Sequence, residues 1–488
     1  MRLLEHFIIC LVLSLALFSG CMDDEPFTAS PTARLSLNRD TVNFGTVVAG
    51  GLAATDTLKL FNRGNKGLRI SRVWLEGGGG SPFRVNVDGS VLSGGEGGDF
   101  EVLRHDSLIS FLTFVAPDVD IDEPYGFADR LHFLTEGGSD HTIVLNANSQ
   151  SVERLQGMRI AENTTFASLR PYLVVDSLVV EEGATLTLAA GVRLLFHPEA
   201  VFIVHGTLLS EGTPGQEVEL RGDRLDNMLS QIPYDRIPKQ WGGLRFTQTS
   251  YGNSLRFTDI HSGSYGVLCD SSDVSRKKLS MDCVTIHNVG GHGLHARSSQ
   301  VSALNCQFTN AAGDCLFLQG GRYNFVHCTV GQFYPLVGGE GVALRFSNCD
   351  GDIKLPMQEL RFWNCIITGR NNDDIMGTPS DRYTELPFDY YFDHCLLNTP
   401  KVEDDIAIGH FVACLWEGDD HDHRRAANFS PDFDYDGLVF TFGLDSLSRA
   451  VDAADSEVSI KLAPYDRQGN YRLAGKAPDM GCFERREE

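Results

Sequence analysis

The chain has 488 residues, with 41 Lys and Arg against 65 Asp and Glu, a formal net charge of −24. No basic run offsets that balance, and association with nucleic acid or a polyanionic substrate would have to work against the field of the whole molecule, so both are disfavoured as partners. About 460 residues follow the N-terminal leader, enough for one small and one large domain or for a single elongated one.

The leader carries Arg2, an apolar run from Phe7 to Leu17, and then Phe18, Ser19, Gly20 and Cys21. The run is too short for a bilayer core of about 30 Å, so residues 1–20 read as a signal peptide. Small residues directly before Cys21 resemble a lipobox, which implies lipidation of Cys21 and a membrane link through that lipid. Phe18 stands where Leu is usual, and an ordinary secretory signal is the alternative. Residues 21–32 form an acidic, flexible linker in which Met22-Asp23-Asp24-Glu25 resembles the surface-export signal of Bacteroidota lipoproteins. That resemblance implies an outer-membrane, surface-exposed protein; a plain solvated linker is the other reading.

Residues 33–150 alternate in short runs broken by Gly and Asn, as in Thr57-Leu58-Lys59-Leu60-Phe61 and His141-Thr142-Ile143-Val144-Leu145. Such alternation predicts half-buried antiparallel strands. Phe44-Gly45-Thr46-Val47-Val48-Ala49-Gly50 followed by Asn62-Arg63-Gly64 resembles immunoglobulin-like modules near the anchor of bacterial surface proteins, which implies a spacer or stalk.

From residue 157 to 428 close-set short strands follow one another without helical periodicity: Ala184 to Leu188, Val192 to Phe196, Val201 to Val204. The ordered series Gly183-Ala184-Thr185, Gly191-Val192, Gly206-Thr207-Leu208 and Trp241-Gly242-Gly243-Leu244 resembles the opening coils of right-handed parallel β-helices of the pectate-lyase-like superfamily. The fold class expected is therefore all-β: a right-handed parallel β-helix preceded by a small immunoglobulin-like β-sandwich. An internal repeat supports it. Cys283, Cys306, Cys328 and Cys349 follow at intervals of 23, 22 and 21 residues, about one coil each, and Cys365 and Cys395 continue the series less regularly.

Segments at Ile260-His261, Ile286-His287 and Phe308-Thr309 are expected to superpose without gaps, each coil having a strand, a Gly-rich turn and another strand. Cysteines stacked at about 4.8 Å suit free thiols better than disulfides, so the column reads as structural. Residues 429–488 resemble the terminal segment of bacterial β-helix proteins, which implies a cap on the open sheet end.

Candidate chemistry is sparse. Gly291-His292-Gly293, Gly313-Asp314-Cys315 and Asn371-Asn372-Asp373-Asp374 faintly resemble the signatures of polygalacturonase-type hydrolases, which need paired carboxylates. His292, Asp314, Asp373 and Asp374 are thus the catalytic candidates, and the repeat makes His292 and Asp314 neighbours, with a turn salt bridge as the plainer reading. Lys277, Lys278 and Lys354 are the lysines available to a lyase and read better as solvated turn residues. Asp419, Asp420, His421, Asp422 and His423 are the candidates for a divalent metal, although no cofactor is required. Tyr383, Tyr390, Tyr391 and Trp416 could stack on sugars or cover core. The function expected is glycan or surface-partner interaction without catalysis; a polysaccharide lyase or glycoside hydrolase and a structural adhesin are the alternatives. Oligomeric state is not legible.

Overall fold

The computed structural model describes residues 26–229, 231–336, 341–404, 407–417, 425–429 and 433–486. Cys21 and the proposed metal loop at 419–423 lie outside them. The chain forms two compact units, one built from Gly50–Pro117 and Gly126–Asn148 with the described chain up to Gly45, the other from Thr46–Ala49, Asp118–Tyr125 and the chain from Ser149 onward.

The first unit holds two antiparallel sheets. One is ordered Ser36–Leu37, Asp56–Phe61, Ser107–Phe114, Phe83–Val87, Ser90–Val91; the other is centred on Asp140–Gln150, Tyr125–Thr135 and Leu68–Leu75. Alternation along the strands places Leu58 and Leu60, Val73 and Leu75, Leu131 and Phe133, and Ile143 and Leu145 inside, while the residues between them are more exposed. Period-two patterning converts directly into one buried face per strand. Phe44 meets Phe83 at 5.9 Å between ring centroids, and Phe83 meets Phe114 at 5.2 Å.

The second unit is a parallel β-helix of three ladders. One runs through Arg193–Phe196, Val218–Gly222, Thr258–His261, Thr285–Val289, Gln307–Ala311, Thr329–Gln332, Ile366–Gly369 and Leu396–Leu397. The second includes Val201–Val204, Gly243–Phe246, Val267–Cys269, Leu294–Arg297, Leu316–Gln319, Leu344–Ser347 and Ile375–Thr378. The third includes Thr207–Glu211, Asn253–Arg256, Leu279–Asp282, Gln300–Leu304, Gly321–Val326, Met357–Trp363 and Phe388–Asp393. Each coil thus has three strands where two were expected, the added ones alternating as in Leu279–Asp282 and Gln300–Leu304. Inside, Phe325, Phe362, Phe392 and Phe411 stack at 4.7, 5.2 and 5.2 Å with planes within 8°. Every such buried ring contributes about 1.5–3 kcal/mol, and register keeps like over like.

Register corrects two of the expected column cysteines. Thr285 pairs with Gln307, which sets Val284 over Cys306, so Cys283 falls one residue early, on the corner. Cys349 lies on a short antiparallel hairpin, Cys349–Asp350 with Ile353–Lys354, inserted between coils. The actual column is Val284, Cys306, Cys328, Cys365, Cys395 and Cys414, all the cysteines among the described residues being free thiols. Preceding each member is a left-handed corner residue: Cys283, Asn305, His327, Asn364, His394 and Ala413 have φ between 47° and 57°. This corner, not the thiol, makes the repeat, and it explains the polar residue before each cysteine, since Asn enters that region at low cost. The turns are also not gap-free: Ile260 is seven residues before Val267, whereas Ile286 and Phe308 are eight before their partners Leu294 and Leu316.

The C-terminal segment departs from the expected end cap. Its described residues run along the flank of the helix: Asn305 Nδ2 donates to the Tyr465 carbonyl, Gly481 N to Asn364 O, and Cys482 N to Thr329 Oγ1. The reason lies in the first ladder, whose outer face becomes apolar at Phe333, Ile366 and Leu396 and is covered by Phe429, Phe442, Leu444 and Met480. A helix α1, Ser456–Leu462, starts at Asp455, whose carboxylate accepts from Glu457 N and Val458 N.

Candidate ligand-binding cleft

His292 and Asp314 occupy the same turn on adjacent coils. The Asp314 amide donates to His292 Nδ1 at 3.0 Å, and the ring nitrogen stands 3.4 Å from the carboxylate. That carboxylate is 3% exposed and takes both forks of Arg345, at 2.9 and 3.2 Å, with the Val342 amide at 3.0 Å. Burial pushes the Asp314 carboxyl up, and His292, Arg345 and Val342 N–H together hold it below the ordinary range. A carboxylate so satisfied orders the turn and offers no proton.

Asp373 and Asp374 are not brought to that pair. Asp374 is buried, accepting from Asn371 Nδ2 at 2.8 Å and Asn398 Nδ2 at 2.6 Å, while Asp373 Oδ1 accepts the Ile375 amide. Lys278 corrects the solvated-lysine reading: it is fully buried, donating to the Thr247 and Ser250 carbonyls at 2.6 and 3.0 Å. Lys354 pairs with Glu385 at 3.5 Å and sits over the Tyr383 ring. Tyr390 stacks on His410, and Trp416 packs against Phe411, so both serve the core end of the helix.

What the second unit does present is a cleft of about 600 Å³ between the outer face of the third ladder and α1. Register builds its floor in rows. Gln300 aligns with Arg322 and Glu359, Ser302 with Asn324 and Arg361, and Leu304 with Val326 and Trp363. Residues two apart on a strand share a face, so three coils deliver a lattice of amides, cations and one indole. The α1 wall adds Val458, Lys461 and Leu462. Lys277 donates to Ser302 Oγ at 3.0 Å; burial pushes its ammonium down, against the pull of Glu359. Glu359 meets Arg322 at 3.2 Å, and Arg361 meets Asp389 at 2.5 Å. Trp363 is flanked by Tyr391 at 5.6 Å. Of these residues the sequence reading singles out only Lys277 and Tyr391; the others are ordinary strand positions until register stacks them.

A second constellation lies on the outer face of the first ladder. Glu219 aligns with Asp259 on the next coil, and His261 with His287 on the one after. His261 and His287 stack at 4.7 Å between ring centroids, and Asp259, His261 and His287 bring one ligand atom each within 4.8 Å of the others. The sequence reading uses Ile260-His261 and Ile286-His287 only as register marks; the available signal is a strand Asp-x-His with a further His one coil on.

No family model matches the chain. A stretch of 163 residues is 26% identical to Protein bark beetle of Drosophila melanogaster, covering 32% of this chain but 5% of that protein, so the chain spans about a twentieth of that relative's length. Among solved structures, pectate lyase Pel9A aligns over 69% of this chain and 88% of its own at 12% identity and a TM-score of 0.29. The PapD-like domain 7 of human CEP192 aligns over 26% of this chain and 91% of its own, at 19% identity and a TM-score of 0.17. A family 123 glycoside hydrolase from Clostridium perfringens aligns over 24% and 26%, at 9% identity and 0.16.

Proposed function

We propose that this chain is an extracytoplasmic lipoprotein, anchored through Cys21 at the outer-membrane surface, that binds a glycan along the flank of its β-helix without cleaving it. The observation that supports the reading is the cleft beside α1, where Trp363 lies among Arg322, Arg361, Gln300 and Asn324. An extended ligand laid along the helix axis meets a new row of side chains about every 4.8 Å. Indole faces suit the apolar faces of sugar rings, while amides and guanidinium groups suit their hydroxyl and acidic substituents. Lys277, Arg322, Arg361 and Lys461 are nearly balanced there by Glu359, Asp455 and Glu457, so charge alone selects neither an acidic nor a neutral glycan.

Binding is favoured over cleavage because two of the three described carboxylates that line the cleft already have partners, Glu359 facing Arg322 and Asp455 holding the first amides of α1, which leaves Glu457 without a second free carboxylate beside it. Glycosidic hydrolysis needs two carboxyl groups free to face the scissile bond. Titration calorimetry with charged and neutral oligosaccharides, paired with a reducing-end assay, tests the reading. Saturable binding weakened about ten-fold by Trp363→Ala, with no new reducing ends, is the expected outcome. Reducing ends whose release is lost in Glu359→Gln would establish the hydrolase or lyase alternative instead.

A further inference from the structure

The outer face of the first ladder carries a site unrelated to the cleft. His261 Nδ1 lies 2.9 Å from the Asp235 carbonyl oxygen, and His287 Nδ1 lies 2.9 Å from Asn288 Oδ1. Both partners of these nitrogens are oxygen acceptors, so each Nδ1 carries the ring proton and each neutral ring presents its Nε2 lone pair outward. Those lone pairs meet carboxylate oxygens: His261 Nε2 stands 3.4 Å from Glu219 Oε1, and His287 Nε2 stands 3.1 Å from Asp259 Oδ1. Lone pair facing carboxylate is repulsive unless a cation lies between them.

We propose that Asp259, His261 and His287, with Glu219 set against the His261 ring, bind one divalent first-row transition ion, for which zinc is the test ion. A tetrahedral ion with bonds of about 2.1 Å spaces its ligand atoms about 3.4 Å apart, close to the 3.1 Å between His287 Nε2 and Asp259 Oδ1. Two imidazoles and one carboxylate make a borderline donor set that suits zinc, manganese or iron better than calcium or magnesium. Nδ1 anchored to a carbonyl is also how liganding histidines are oriented, since the bond fixes both tautomer and ring plane. Access exists: the side chains of Asp259, His287 and Glu219 are 38%, 24% and 26% exposed, while His261 is nearly buried at 5%. Arg221, 3.4 Å from Glu219, and Arg467, hydrogen-bonded to Thr285, rim the site and limit its net charge. Because the ligands come from two consecutive coils, the ion would clip those coils together.

The test is calorimetric titration of the chelator-stripped chain with Zn²⁺, with Co²⁺ used for its visible ligand-field bands. A control chain has Asp419, Asp420 and Asp422 changed to Asn and His421 and His423 changed to Gln. One Zn²⁺ per chain should bind in the parent and the control alike, raise Tm, and give Co²⁺ bands of a low-coordinate nitrogen and oxygen site. Asp259→Asn should weaken binding at least 100-fold, as should His287→Gln, each with the metal-free melting temperature retained. If either variant fails to fold, Glu219→Gln, on the separate coil, supplies the same comparison with a smaller loss. Binding that survives His287→Gln and Asp259→Asn, or that disappears in the control chain, overturns the proposal.

Discussion

Removing the Asp314 carboxylate would leave the Arg345 guanidinium beside a buried turn without its partner, and the Val342 amide without an acceptor. Breaking a pair of which one member is 3% exposed and the other 32% should cost about 2–4 kcal/mol. We expect Asp314→Ala to lower the midpoint of chemical denaturation by that amount and to leave ligand binding in the cleft unchanged. Loss of binding or of any catalytic activity at unchanged stability would return Asp314 to the role of a site residue. The neighbourhood of His292 and Asp314 was legible in the sequence because both lie six residues beyond paired strand positions, Ile286 and Phe308. Arg345 was not legible, because its approach depends on the following coil, in which Val330 stands fourteen residues before Leu344 where the preceding coil has eight between Phe308 and Leu316.

At the scale of elements, the C-terminal segment is held by one dense polar knot. Arg472, fully buried, donates to Asn305 Oδ1 at 2.8 Å and to the Gly481 carbonyl at 3.0 Å, and faces Glu484 at 3.3 Å. Glu484 also accepts the Asp479 amide and has the Asp479 and Asp466 carboxylates nearby. Burial chiefly, with those like charges, pushes the Glu484 carboxyl up to about 8. The folded chain therefore holds a proton that the unfolded chain releases near pH 4.5. Stability from this group is fully present below about pH 4.5 and is lost as pH rises through about 8, by up to about 5 kcal/mol. Thermal melts between pH 5 and 9 should show that decline, and Glu484→Gln, which keeps the neutral shape, should flatten it. An unchanged slope in the variant would place the proton elsewhere. The existence of a special C-terminal segment could be read from its sequence, but its place could not: the apolar outer face that it covers, at Phe333, Ile366 and Leu396, is assembled from three coils.

For the whole molecule, every residue of the cleft belongs to the second unit. Deleting residues 33–148 removes the first unit from residue 33 on together with Thr46–Ala49 and Asp118–Tyr125 of the second, none of which lines the cleft, and should leave glycan affinity within about two-fold, as calorimetry would show; abolished binding by a still-folded β-helix would assign recognition to the deleted residues. The sequence by itself determined the all-β class, the order of antiparallel strands before parallel coils, and a coil period near 22 residues, because strand alternation and corner residues are local and repeat along the chain. Tertiary structure alone decided which of two adjacent residues stands in the column, as with Cys283 and Val284, since a one-residue slip leaves the spacing almost unchanged but reverses the face. It also decided what meets across coils. Trp363 with Arg361 and Asn324, and His261 with His287 and Asp259, lie 39 and 28 residues apart at their extremes yet become neighbours because a parallel ladder brings each coil to about 4.8 Å from the next.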